Sequence, residues 1–213
     1  MIARYAFFSL FLNFLAASAF MQEPSTKVTF DSSTDDKKLT LAGVGVRVKK
    51  IGPLSVKVYA AGVYLDRAAS LLKLKNIPFK NEKDLTDSKE FSNMLIKDSG
   101  SKSIVLKMVR SVSGQKMADA LAESVKPRMN GKELPSLESF KNILLTSCAD
   151  GLTPSSVLCF NSTGKDLSVC VNGNKKGTVA SPVLCEAFLD TYMGISPVSP
   201  SLKSSIVKTI MSW

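Results

Sequence analysis

Between Gly43 and Lys50 the chain alternates Val44, Val46 and Val48 with Gly45, Arg47 and Lys49. A period of two marks a strand with one apolar face. A Gly52-Pro53 turn follows, and then Leu54–Asp66 (LSVKVYAAGVYLD), which is β-branched and aromatic and reads as a second, longer strand. Consecutive strands joined by so short a turn pair as a hairpin. The apolar face of that hairpin must be covered, which confines the chain to folds built on an antiparallel sheet with another layer packed over it.

Short strands are also expected at Val28–Phe30 and Lys38–Leu41. After the hairpin, Arg67–Lys75 and Lys89–Ile96 read as short helices around a polar connector containing Pro78, and Ser103–Arg110 as a strand. Helices are expected over Gln115–Lys126, with Met117 and Leu121 on its apolar side and a stop near Pro127, and over Leu137–Cys148, with Phe140 and Leu144 at helical spacing. A meander of Val157–Asn161, Leu167–Val171 and Thr178–Val179 follows, with Asn172-Gly173 as its hairpin signal. A helix from Pro182 to Tyr192 and a terminal helix bearing Leu202, Ile206 and Ile210 close the chain. At 213 residues and 45% hydrophobic content, one domain can bury roughly 70% of its unfolded surface without staples. This order of elements predicts an α+β domain, an antiparallel sheet faced by a helical layer.

No histidine occurs in the chain. That removes the usual general base, the usual partner of a nucleophilic Ser or Cys, and the commonest metal ligand. The four cysteines, Cys148, Cys159, Cys170 and Cys185, form no C-x-x-C pair, and no glycine-rich nucleotide motif appears. Neither a metal site nor a cofactor is therefore expected. The formal charge of +10 is scattered, with 8% aromatics and no Arg-rich helix. It reads as a basic surface with some attraction for anionic ligands or membranes, and no nucleic-acid partner is expected.

Met1–Ala19 carries Arg4 ahead of an apolar run from Tyr5 to Ala16 and ends in Ala17-Ser18-Ala19. This is the layout of a secretory signal peptide, too short for a comfortable membrane span. No later stretch is apolar for long enough to cross a bilayer, so no transmembrane segment is expected after signal removal. The tetrad Ala17-Ser18-Ala19-Phe20 is similar to the junction of bipartite plastid presequences in algae with secondary plastids. That resemblance implies a plastid destination, with residues 20–26 as a short transit segment and the domain running from 27 to 213. Secretion or retention in the endoplasmic-reticulum lumen is the alternative. There the Asn161-Ser162-Thr163 sequon and two disulfides of unknown connectivity would matter.

Leu41–Arg47 (LAGVGVR) followed by Val56–Asp66 (VKVYAAGVYLD) resembles the core hairpin of the chalcone isomerase family. Ser113-Gly114, Gly151-Leu152, Leu189–Gly194 (LDTYMG) and Val198–Lys203 (VSPSLK) agree in order, so the resemblance extends from about Val28 to the C-terminus. It implies the chalcone isomerase fold, an open-faced β-sandwich whose antiparallel sheet is covered by a layer of helices. The superfamily includes true chalcone–flavanone isomerases, non-catalytic chalcone isomerase-like proteins and plastid fatty-acid-binding proteins. By position, Arg47 matches the arginine that stabilises the substrate's negative oxygen in the isomerases and holds the carboxylate in the fatty-acid binders. Thr191 matches a threonine at the isomerases' substrate-binding helix. Tyr59 stands where the isomerases keep a threonine, and a tyrosine there is the pattern of the fatty-acid-binding branch. Met117 and Ser124 stand where the isomerases have a tyrosine and an asparagine.

Arg47 lies opposite the valine face of its strand and beside Gly45, which leaves room for a ligand. An arginine facing an apolar cavity needs an anion, because an unpaired buried charge is costly and a planar guanidinium takes a carboxylate bidentately. Tyr59 on the neighbouring strand supplies a further donor. Met117 is either plain core or an adaptable apolar lining suited to an alkyl chain. The expectation is a non-catalytic protein that binds a fatty acid or another small apolar anion, contacted by Arg47, Tyr59, Met117, Ser124 and Thr191. Two alternatives stand beside it. One is an intramolecular lyase of the chalcone isomerase type, with Arg47 stabilising enolate charge and Tyr59 and Thr191 ordering water or substrate. The other is a metabolite-binding partner protein that modulates other enzymes.

Overall fold

The computed structural model describes residues 20–97 and 100–213, and the signal peptide expected at Met1–Ala19 lies outside them. Strands β1 (Phe20–Gln22) and β2 (Thr29–Asp31) form a small antiparallel pair. The main sheet runs in chain order through β3 (Thr40–Ile51), β4 (Leu54–Leu65), β5 (Lys102–Met108), β6 (Val157–Ser162), β7 (Asp166–Val171) and β8 (Asn174–Ala180). All its pairings are antiparallel. Helices α1 (Arg67–Leu74), α2 (Glu82–Asp87) and α3 (Lys89–Lys97) fill the β4–β5 connection. Helices α4 (Gly114–Val125) and α5 (Leu134–Ser147) fill the β5–β6 connection, and α6 (Pro182–Met193) and α7 (Pro200–Ser212) end the chain.

Alternation places the sheet's two faces in two different environments. Ala61, Val63, Ile104, Leu106, Leu158, Phe160, Leu167 and Val169 point to the helical layer and are buried against Leu121, Phe140, Leu184, Phe188, Tyr192 and Ile206. The opposite face is covered only in part: β1, β2 and the turn between them bring Met21, Val28 and Phe30 over Leu41, Val44, Ala60 and Tyr64. The α+β expectation and the open-faced sandwich hold. Among the described residues no helix is long and apolar enough to cross a membrane.

Four details depart from the sequence reading. The strands expected at Lys38–Leu41 and Gly43–Lys50 are one strand, β3, with an irregularity between Leu41 and Gly43. Helix α2 occupies part of the polar connector, capped by Asn81, whose side chain accepts from the Asp84 N–H. Residues 20–26 are folded with the domain: β1 pairs with β2, and the buried Glu23 carboxylate accepts from the backbone N–H groups of Ser25 and Thr26. The ordered domain therefore starts before residue 27.

The fourth concerns Gly45, whose missing side chain makes room for α7 rather than for a ligand. A Cβ at Gly45 would lie 2.3 Å from the Leu202 nitrogen, and one at Gly43 would lie 2.6 Å from the Ile206 nitrogen. Hydrogen bonds hold helix and strand at that distance. The Val44 N–H donates to Ser205 Oγ (3.0 Å), the Val46 N–H to Ser201 Oγ (3.2 Å), and the Ser199 hydroxyl to the Val46 carbonyl (2.8 Å). All four cysteines are free thiols; Cys159 and Cys170 are register partners on β6 and β7.

Candidate ligand-binding site

The hairpin positions the site through one register change. Arg47 pairs with Tyr59, but the next pair is Val48 with Lys57, so Val58 has no partner on β3. Such a bulge bends the ribbon and re-aims a side chain. Here it brings Val58 to a cavity of about 610 Å³ that Val56, Arg47 and Tyr59 also line. The far wall is α4, begun by Ser113, whose side chain accepts from the Lys116 N–H. Its successive turns present Met117, Ala120, Leu121 and Ser124 to the same space. A cavity of this size, walled by aliphatic side chains with a few convergent polar groups, is the ordinary form of a small-molecule site.

Tyr59 is 5% exposed and lies on the buried side of the cavity. Its hydroxyl is 3.2 Å from that of Tyr192, which is fully buried on α6. Burial pushes the Tyr59 phenol above its ordinary pKa, with the Tyr192 hydrogen bond and the Arg47 charge acting the other way. Burial raises Tyr192 further, and the Tyr59 contact adds to that. Both phenols are therefore protonated at neutral pH, and two linked hydroxyls use only one proton between them. When Tyr192 donates to Tyr59, the Tyr59 O–H is free to donate to a ligand.

Arg47 is half-buried, and its Nη1 donates to the Val198 carbonyl at 2.9 Å. That bond ties the guanidinium to the segment leading into α7. It leaves the remaining N–H donors unspent, and among the described residues no carboxylate lies within ion-pair distance of Arg47. Four more cations line the cavity at exposed positions, Lys49, Lys50, Arg110 and Lys116, against a single acid, Glu123.

Of the five residues singled out from the sequence, Arg47, Tyr59, Met117 and Ser124 are brought to one cavity. Met117 is 2% exposed and serves both core and lining. The Ser124 hydroxyl is occupied by the Ala120 carbonyl at 2.7 Å. Thr191 is not in the lining; its hydroxyl donates back along α6 to the Ala187 carbonyl at 2.9 Å. Sequence reasoning missed Tyr192, the next residue, which it read only as the end of the helix from Pro182. No local signal could have paired its hydroxyl with one 133 residues away. The collar of Lys49, Lys50, Arg110 and Lys116 was equally hidden, because it draws on three separate segments.

The chalcone–flavanone isomerase family model matches residues 23–213. A fatty-acid-binding protein 1 from Arabidopsis thaliana is 28% identical over 200 residues, which is 89% of this chain and 70% of that protein. A chalcone isomerase-like protein 1 from Humulus lupulus is 30% identical over 183 residues, 81% of each. A chalcone–flavanone isomerase from Pyrus communis is 31% identical over 202 residues, 86% of each. Among solved structures, an Arabidopsis thaliana fatty-acid binding protein superposes with a TM-score of 0.79 at 26% identity, covering 91% of this chain and 98% of that one. With the hairpin, the helical layer and nearly the whole length accounted for, the chain belongs to the chalcone–flavanone isomerase family.

Proposed function

We propose that this protein binds a fatty acid without transforming it, with the carboxylate on Arg47 and Tyr59 and the alkyl chain along the apolar walls. One observation carries the reading. Arg47 stands half-buried at a cavity of about 610 Å³ with unspent donors and, among the described residues, no carboxylate partner, next to the protonated Tyr59 hydroxyl. Both bonds to the ligand carboxylate are charge-assisted, because the acceptor is ionised, and the guanidinium adds its own charge. Val56, Val58, Met117 and Leu121 offer aliphatic surface but little to a hydroxylated ring. The hydroxyls of Ser124 and Thr191 donate to backbone carbonyls, so neither has a free O–H to donate to a water or a phenol. Fatty-acid binders among the relatives support the same reading.

The test is to titrate C12–C18 fatty acids, and separately a hydroxylated chalcone, against wild type, Arg47→Ala and Tyr59→Phe. Hydrogen bonds to a charged group contribute about 1.5–3 kcal/mol. Arg47→Ala and Tyr59→Phe should therefore each weaken fatty-acid binding roughly tenfold to a hundredfold. Affinity should rise with chain length by less than the gross value of about 0.8 kcal/mol per methylene, because ordering the chain costs part of it. Chalcone cyclisation above the spontaneous rate that disappears in Arg47→Ala would overturn the reading in favour of the lyase.

A further inference from the structure

The outer end of the β3–β4 hairpin extends beyond the rest of the sheet. Strand β5 joins β4 only from the Tyr59–Met108 pair onward, so among the described residues the ribbon beyond the bulge has no third strand. At its tip Ile51 and Leu54 are register partners on either side of the Gly52-Pro53 turn, and they are 56% and 66% exposed. Scattered exposed aliphatics are ordinary, but two paired at the free end of a ribbon make a small apolar patch that none of the described residues covers. Ile51 is also part of the cavity lining, so the patch sits at the cavity mouth. Lys49 and Lys50 on the ribbon and Arg110 and Lys116 beyond it surround the same mouth. All four are exposed and form no ion pair among the described residues.

We infer that this tip docks on an anionic lipid bilayer, with Ile51 and Leu54 entering the interface and the lysines meeting headgroup phosphates, so that the cavity mouth faces the membrane. Aliphatics inside a collar of cations match the two layers of a bilayer surface, apolar below and anionic above. A nucleic acid would engage the cations and leave the aliphatics without a partner. Docking rests on the tip and its charges alone. Only the further statement, that a fatty acid passes between bilayer and cavity without crossing bulk water, rests on the proposed function.

The experiment is co-sedimentation of the purified protein with phosphatidylcholine vesicles, with and without phosphatidylglycerol, at low and high salt. Wild type is compared with Ile51→Ser/Leu54→Ser and with Lys49→Glu/Lys50→Glu. Wild type should bind only the anionic vesicles and release in high salt, and each double variant should bind at least about tenfold more weakly. The altered residues are exposed, and circular dichroism with thermal melts in vesicle-free solution verifies that the fold survives. Absence of wild-type binding to anionic vesicles overturns the inference. So does binding that Ile51→Ser/Leu54→Ser leaves unchanged, or salt-sensitive binding to an oligonucleotide that matches the vesicle affinity and ignores the tip. Tip-dependent vesicle binding without fatty-acid binding in solution would refute the proposed function and leave docking standing. Fatty-acid binding without vesicle binding would do the reverse.

Discussion

Gly45→Ala distinguishes two explanations of a glycine beside a ligand-facing arginine, space for a ligand and space for a helix. The added Cβ would lie 2.3 Å from the Leu202 nitrogen, 2.5 Å from its Cα and 2.6 Å from its Cβ. Two of those atoms are backbone, so no rotamer change relieves the clash, and α7 must retreat by roughly 1 Å to restore van der Waals distance. Retreat stretches the bonds from Val44 and Val46 to Ser205 and Ser201, and that from Ser199 to the Val46 carbonyl. Overpacking of this kind costs about 1–3 kcal/mol, and the loss of glycine freedom in the unfolded chain returns about 0.4–1 kcal/mol. The net expectation is a destabilisation of about 1.3 kcal/mol. For a domain of this length it should lower the thermal midpoint by roughly 3–5 °C. Val198, just before α7, accepts from Arg47 Nη1, so the same shift disturbs the guanidinium and should weaken fatty-acid binding as a secondary effect. Paired thermal melts and ligand titrations decide the matter. An unchanged midpoint with weakened binding would refute the helix-clearance argument and restore the ligand-space explanation.

Two further predictions concern parts of the fold remote from the cavity. Lys203 is 2% exposed, its Nζ donates to Ser92 Oγ (2.7 Å) and the Met193 carbonyl (2.6 Å), and burial lowers its pKa from 10.5 to about 8. Between those values the unfolded chain binds the proton that the folded chain has released, so stability rises with pH across the window. Urea melts should show wild type gaining about 3 kcal/mol relative to Lys203→Met between pH 7.5 and 10.5, and a constant difference would refute the assignment. A chain starting at Lys27 lacks β1, the cover that Met21 gives the Tyr64 face, and the Glu23 network. It should be less stable than one starting at Phe20 by about 2 kcal/mol, the burial value of one large apolar side chain, and equal midpoints would show that residues 20–26 are dispensable.

What was legible in the sequence is what neighbouring residues decide among themselves. The valine alternation of β3, the turn at Gly52-Pro53 and the Asn172-Gly173 hairpin each carry their own local cause, and the structure has strands or turns at all of them. Strand β1 is three residues long and is a strand only because β2 lies beside it, so no periodicity announces it. The same limit applies at the site. A glycine shows that something needs space, but whether a ligand or α7 takes it is a tertiary fact. On α6, one residue separates a hydroxyl folded back on its own helix, Thr191, from the one that meets Tyr59, Tyr192. A step of one residue turns a side chain by about 100°, and homologous position alone does not carry that resolution. The charge of +10 follows the same logic. Spread along the chain it argued for a generally basic surface, yet the hairpin, the end of β5 and the first turn of α4 gather Arg47, Lys49, Lys50, Arg110 and Lys116 around one cavity. An anionic amphiphile approaching that mouth meets the cations first and the aliphatic walls next, which is the order in which long-range attraction and short-range burial act.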